Sequence, residues 1–162
     1  MQPMKLIKHH WELNVYGLTV EAAMDIFRAS KRWPREELYS LTDQIRRSSR
    51  AVSAAIAEAW RRRKYEAVFI NKPNEAEGEA AETQTWLEHA VKCEYLDRKE
   101  GARLFRAYDR VIGKLVKMGN EPAKWVLEKS RPRIRPTLPL THSPAYPSAE
   151  CKSTPSFSPS AR

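Results

Sequence analysis

Apolar residues recur at steps of three and four positions in four successive segments of this chain, the period of one buried helical face. These segments predict helices over about residues 14–30, 34–63, 65–94 and 97–120. Asn14 and Asp97 are predicted N-caps, because a short polar side chain accepts hydrogen bonds from the unpaired amides of a helix start. Pro34 suits the first turn of the second helix, and Pro122 follows the end of the fourth.

The same periodicity predicts the core. On the first two helices the stripe consists of Val15, Leu18, Ala22, Ile26, Ala29, Leu38, Leu41, Ile45, Ser49, Val52, Ile56 and Trp60. On the last two it consists of Phe69, Ala76, Ala80, Thr83, Leu87, Ala90 or Val91, Ala102, Phe105, Tyr108, Ile112, Leu115 and Met118. Pro73 interrupts the third stripe. Since an internal proline lacks an amide donor and crowds the preceding turn, a kink or break near residues 70–72 is predicted.

Short links between amphipathic helices favour antiparallel neighbours, so the predicted fold is all-α: an antiparallel up-down-up-down four-helix bundle with a disordered C-terminal tail. The predicted boundaries are an irregular lead-in over 1–13, the bundle over 14–130 and the tail over 131–162. Seven prolines and six serines occupy that tail. Such a segment buries too little apolar surface to offset the entropy of ordering it.

Several kinds of site are excluded by composition. The five glycines form no phosphate-binding loop, and Cys93 and Cys151 stand alone without a C-x-x-C spacing. Neither a cofactor nor a metal is therefore expected. No apolar stretch has the length of a membrane span or of a secretory signal, so a cytoplasmic protein without a membrane partner is expected.

Charge is unevenly distributed along the chain, whose formal net charge is +9. Residues 31–64 hold ten Lys and Arg against four Asp and Glu, whereas residues 66–100 hold four against nine. The tail is basic again, with five against one. A basic balance favours a polyanionic partner, but neighbouring positive and negative helices can also neutralise each other.

The densest basic run predicts a nucleic-acid contact. Its four residues are Arg61, Arg62, Arg63 and Lys64, with Trp60 and Tyr65 beside them as possible stacking partners for bases. Arg46 and Arg50, one turn apart, extend this predicted nucleic-acid-binding set. The alternative interpretation of the run is a solvated helix end whose cations complement the C-terminal dipole.

A second set of charged residues is interpreted as structural. Arg47 is predicted to form an ion pair with the third helix or with a neighbouring subunit, because a guanidinium can meet a carboxylate in a fork. Glu58, Glu79 and Glu82 are the available partners. Glu79 and Glu82 do not predict a metal site, since bundle metal sites use Glu-x-x-His and the matching position here is Thr85.

Several segments resemble a known family in matching order. They read WPREE at 33–37, LTDQIRRSS at 41–49, IAEAW at 56–60 and AEGEAAETQTWL at 76–87. Over about residues 13–125 the chain resembles the four-helix-bundle proteins encoded in intervening sequences of bacterial 23S rRNA. It departs from their pattern at Ala55 and Ala59, where the family usually has Asn and Gly, and at Pro73.

The resemblance implies a homopentamer. It also implies kinship with the accessory variability determinants of diversity-generating retroelements, which bind a reverse transcriptase and its template RNA. No catalytic residue is implied. We therefore expect a non-enzymatic, oligomeric scaffold that associates with RNA in preference to DNA. The alternative is a protein-interaction module that docks a nucleic-acid enzyme, such as a reverse transcriptase, without touching nucleic acid itself.

Overall fold

Four α-helices make up most of residues 7–127, the part of the chain that the computed structural model describes. They are α1 (Asn14–Ser30), α2 (Leu41–Arg62), α3 (Glu66–Lys92) and α4 (Arg98–Asn120). Short 3₁₀ turns lie at His10–Glu12, Arg35–Glu37 and Pro122–Lys124. The described residues contain no strand, which confirms the all-α prediction. The predicted tail at 131–162 lies outside the described residues.

The helices pack in the predicted four-helix bundle. Helix α1 packs against α2 and α4, and α3 packs against the same two helices, so α2 and α4 occupy diagonal corners. The residues that fill the centre are almost wholly excluded from water: Ile26, Ile45, Val52, Ile56, Phe69, Leu87, Leu104, Tyr108, Val111 and Leu115. At about 25 cal/mol per Å² of apolar surface, this burial is the main force holding the helices together.

The second helix begins later than predicted. Pro34 is followed by a 3₁₀ turn, and α2 starts at Leu41. The Glu37 carboxylate accepts hydrogen bonds from the Ser40 hydroxyl and from the Leu41 amide (3.3 Å), which marks the new helix start. As a result Leu38 lies outside the helix and is exposed, so its place in the predicted core stripe is wrong.

Helix α3 passes through Pro73 without a break, so of the predicted kink or break near residues 70–72 the break is wrong. Pro73 is itself buried, between the fully buried Phe69 one turn before it and Ala76 one turn after it. Core contacts on both sides therefore hold the backbone helical despite the missing amide. Tertiary packing outweighs a local penalty of about 3 kcal/mol.

The predicted buried face of α4 is confirmed at Tyr108, Leu115 and Met118, which are buried, and is wrong along one edge. The helix buries Leu104 and Val111, while Phe105 is exposed and Ile112 only half-buried. Gly101 helps to set this orientation, because a Cβ there would collide with the side chain of Val91 on α3. The predicted cap at Asp97 is confirmed: its carboxylate accepts hydrogen bonds from the amides of residue 99 (2.8 Å) and residue 100 (3.2 Å).

Candidate nucleic-acid interface

Three cations surround one aromatic ring where α1 packs beside α2. The Lys31 Nζ lies 4.7 Å from the centre of the Phe27 ring, and the Cζ atoms of Arg46 and Arg50 lie 5.1 Å and 5.8 Å from it. All three are within the range of a cation–π attraction. We call these four residues the Phe27 cluster. It brings the predicted Arg46 and Arg50 together on one surface.

Within residues 7–127, these cations have no carboxylate at ion-pair distance. None of the ion pairs there involves Lys31, Arg46 or Arg50. The Arg46 Nε donates instead to the neutral Ser30 hydroxyl, at 2.8 Å. The cluster therefore holds its positive charge in a defined geometry and leaves further N–H donors available to a ligand.

The predicted basic run at the end of α2 does not form one surface. Arg62 pairs with Glu58 at 2.8 Å, one turn back on the same helix. Arg61 and Lys64 are exposed and take part in none of the ion pairs of the described residues. Those two remain the members of the run whose charge faces solvent.

Both the side chain and the backbone of Arg63 make contacts within the protein. Its guanidinium carbon lies 3.7 Å from the centre of the Trp60 ring, and its carbonyl accepts a hydrogen bond from the Leu127 amide at 3.0 Å. Burial lowers the pKa of Arg63, and the neighbouring charge of Arg61 lowers it further. Trp60 is itself buried and donates to the Lys8 carbonyl, so it is not accessible as a stacking platform for bases.

Arg47 forms an ion pair, but within its own helix. It lies 3.9 Å from the Asp43 carboxylate, rather than in an ion pair with the carboxylates of α3. Pairing with a neighbouring subunit stays a prediction. Among the ion pairs of the described residues, the one between Glu58 and Lys72, at 3.0 Å, joins α2 to α3. Of the predicted structural carboxylates, Glu58 therefore makes an interhelical contact.

Glu79 and Glu82 line an open groove of about 400 Å³ between α2 and α3, together with Arg47 and Arg50. Glu82 accepts a hydrogen bond from the Trp86 indole at 2.9 Å. Burial raises the pKa of Glu79, the charge of Glu82 raises it further, and Arg47 acts in the opposite direction. The charge of Arg47 therefore acts on Glu79 without an ion pair between them.

Metal-ligating side chains do not converge within residues 7–127, where no group of three His, Cys, Asp or Glu could hold an ion. The adjacent His9 and His10 pack against aromatic rings instead. His9 stacks on Trp11 at 4.2 Å, and His10 lies edge-on to Tyr16 at 4.8 Å. Over the same residues, no helix is both long and apolar enough to cross a bilayer.

Sequence reasoning missed two members of the Phe27 cluster, Phe27 and Lys31. Both lie off the buried stripe of α1, and they stand four positions apart on one side of the helix. In the sequence they form an aromatic residue outside the stripe followed one turn later by a lysine, a spacing that indicates a cation–π contact. The pairing with Arg46 and Arg50 depends on how two helices meet, which no local pattern contains.

Comparison with known proteins gives both a family and a fold. A family model described as 23S rRNA-intervening sequence protein matches residues 11–117. Among solved structures, the chain is similar to a protein of unknown function from the S23 ribosomal protein family of Bacteroides thetaiotaomicron VPI-5482. The two share 30% sequence identity, with 65% of this chain and 95% of that chain covered and a TM-score of 0.60. No curated protein matches this sequence.

Proposed function

The chain belongs to the 23S rRNA-intervening sequence protein family, and from that premise we propose that it is a non-enzymatic scaffold that binds nucleic acid, RNA in preference to DNA. The observation that supports this proposal is the Phe27 cluster: three cations around one ring, with no carboxylate paired to them in the described part of the chain. Such a cluster suits phosphate groups, which supply most of the affinity in nucleic-acid complexes.

The geometry of the cluster favours binding in a second way. A guanidinium that already rests on a ring and donates to Ser30 has lost part of its rotamer freedom before a ligand arrives. Ordering such a side chain on binding otherwise costs about 0.5–1.5 kcal/mol. Arg46 is therefore better prepared to hold a phosphate than an arginine that extends into solvent.

Arg61 lengthens the surface. It lies three turns beyond Arg50 on the same side of α2, about 16 Å away along the helix axis. Small residues, Ser53 and Ala57, occupy the intervening turns, so no large side chain separates the two ends. A phosphate backbone following α2 would meet cations at both ends of this surface.

Assembly would multiply these contacts. We propose a homo-oligomer, a pentamer by resemblance to the family, in which each copy presents the same α2 surface. Weak sites linked in one particle gain affinity through effective concentration without any new contact. A reverse transcriptase or another RNA-handling enzyme would be a natural additional partner of such a particle.

The test is RNA binding at a series of salt concentrations. The affinity of the purified protein for a short RNA should fall linearly on logarithmic axes as salt rises. The double variant Arg46→Gln/Arg50→Gln should bind about tenfold more weakly and lower the salt slope by roughly 1.4–1.8, as expected for two lost phosphate contacts.

The matched control removes the same charge elsewhere. Arg28→Gln/Lys92→Gln takes two cations from pairs with Asp25 and Glu88, so its RNA affinity should stay near that of the wild type. Equal loss in both double variants, or an affinity that does not change with salt, would contradict the proposal. The mass of the native particle before and after nuclease treatment tests the assembly and would reveal an RNA-free docking module.

A further inference from the structure

A row of six basic residues runs along the outer side of α4. Its members are Lys99, Arg103, Arg106, Arg110, Lys114 and Lys117, at successive spacings of four, three, four, four and three. All six are exposed. Residues at these spacings are neighbours on one helical face, so the row is continuous over about 27 Å. We call it the α4 row.

The charge of the α4 row is largely uncompensated. Arg103 is the exception, because it pairs with Glu100 and with Asp25 of α1, both at 2.6 Å. The other five members take part in none of the ion pairs within residues 7–127. Asp109, the other acid of α4, points away toward α3 and accepts a hydrogen bond from Gln84 at 2.8 Å.

The α4 row and the surface of α2 border opposite flanks of α1. Arg50 lies against Phe27 of α1, and Arg103 of the row pairs with Asp25 of α1. Asp25 and Phe27 stand two positions apart in sequence and therefore about 200° apart around α1. Because α2 and α4 occupy diagonal corners, the two surfaces diverge. Two helix diameters, roughly 20 Å, separate the two surfaces, and one straight nucleic-acid segment cannot lie on both.

We propose that the α4 row is a second binding surface for the RNA backbone, and that one subunit thereby bridges two RNA segments. This rests on the proposed function, since it takes the α2 surface as the first RNA site. Ala102 and Gly113 lie beside the cations of the row, and the exposed ring of Phe105 lies about 100° around the helix from Arg106, outside the row. The row therefore offers contacts to phosphates and none for stacking, which fits a duplex bound without regard to sequence.

The test is the number of short RNA duplexes, no longer than the row, that bind per subunit at saturation, because an oligomer can also bridge two duplexes through the α2 surfaces of different subunits. Wild-type protein should bind about twice as many duplexes per subunit as the row variant, Arg106→Gln/Arg110→Gln/Lys114→Gln. That variant keeps the α2 surface but loses three phosphate contacts of the row. Thermal melting of the variant, whose changes are all exposed, checks that it is folded.

A control variant removes three cations that are already paired, Arg28→Gln/Lys92→Gln/Lys124→Gln, and should bind as many duplexes per subunit as the wild type. Equal numbers of duplexes per subunit on the row variant and the wild type would overturn the bridging proposal and leave the proposed function intact; if the row variant had at the same time lost binding to phosphatidylserine vesicles, the row would be a membrane-binding surface instead. Loss of all RNA binding by the row variant would overturn the bridging proposal and would also contradict the α2 surface as an RNA site. Failure of the wild type to bind any duplex would refute the proposed function itself.

Discussion

Helices α2 and α4 both carry many arginines and lysines, but they use them differently. The basic run at the end of α2 consists of four consecutive residues, Arg61 to Lys64. Arg62 pairs with Glu58, Arg63 stacks on Trp60, and the other two face solvent. On α4 six bases are spaced by three or four positions, and five of them are without an ion pair in the described residues. Spacing, rather than local density, decides how much charge a helix presents on one face.

The reason is the pitch of the helix. Consecutive residues are separated by about 100° around the axis, so a run of four encircles the helix and some members must meet neighbouring elements. Residues at steps of three and four stay on one face, as the apolar stripes do. Basic residues at these steps thus line the outer face of a helix as regularly as apolar residues line its buried face.

The largest expected effect comes from the inner half of α4. Leu104→Ala should lower the free energy of unfolding by about 2–5 kcal/mol, since it removes a fully buried side chain and leaves a cavity. Urea unfolding measures this, with Arg106→Gln on the outer half as the control, expected within about 0.5 kcal/mol of the wild type. Similar losses in both variants would mean that the two halves of α4 do not differ in the way described.

A smaller effect separates two neighbours in the α2 run. Arg63→Ala should destabilise the fold by about 1 kcal/mol through loss of its contact with Trp60, with little change in RNA affinity. Arg61→Ala should do the reverse, leaving stability within about 0.5 kcal/mol and weakening RNA binding. Thermal melts and RNA titrations of the two variants measure these effects. If both variants lose stability and RNA affinity to the same extent, the run acts as one unit and the predicted difference is wrong.

The smallest effect concerns Asp25, the ion-pair partner of Arg103 in the α4 row. Burial alone would raise the pKa of Asp25, but hydrogen bonds from Arg103 and Arg28 outweigh it and hold this pKa below its usual value. A lowered folded-state pKa stabilises the protein at neutral pH, and this contribution disappears as the pH falls below about 4 and passes the folded value.

Asp25→Asn should therefore cost about 0.5–1 kcal/mol near pH 7, a modest figure because Arg103 is half exposed and solvent screens the pair. The difference between variant and wild type should shrink as the pH is lowered below about 4. Unfolding curves at a series of pH values measure it. A difference that grows in acid would contradict the assigned direction of the Asp25 shift.

The number of helices, the cap at Asp97 and most of the buried stripes are predictable from the sequence alone. These follow from periodicity and end signals that lie within about one or two turns of each other. Local signals were less reliable where two determinants competed. At Pro73 a strong breaker lies between buried residues, and packing keeps the helix continuous.

Which side chains of different helices meet depends on the tertiary structure. The Phe27 cluster joins residues of α1 and α2, Gly101 turns α4 against Val91, and the diagonal placement of α2 and α4 puts the two basic surfaces on opposite flanks of α1. Periodicity specifies which face of a helix is buried. Which other helix lies beside each side of that face depends on how the helices pack together.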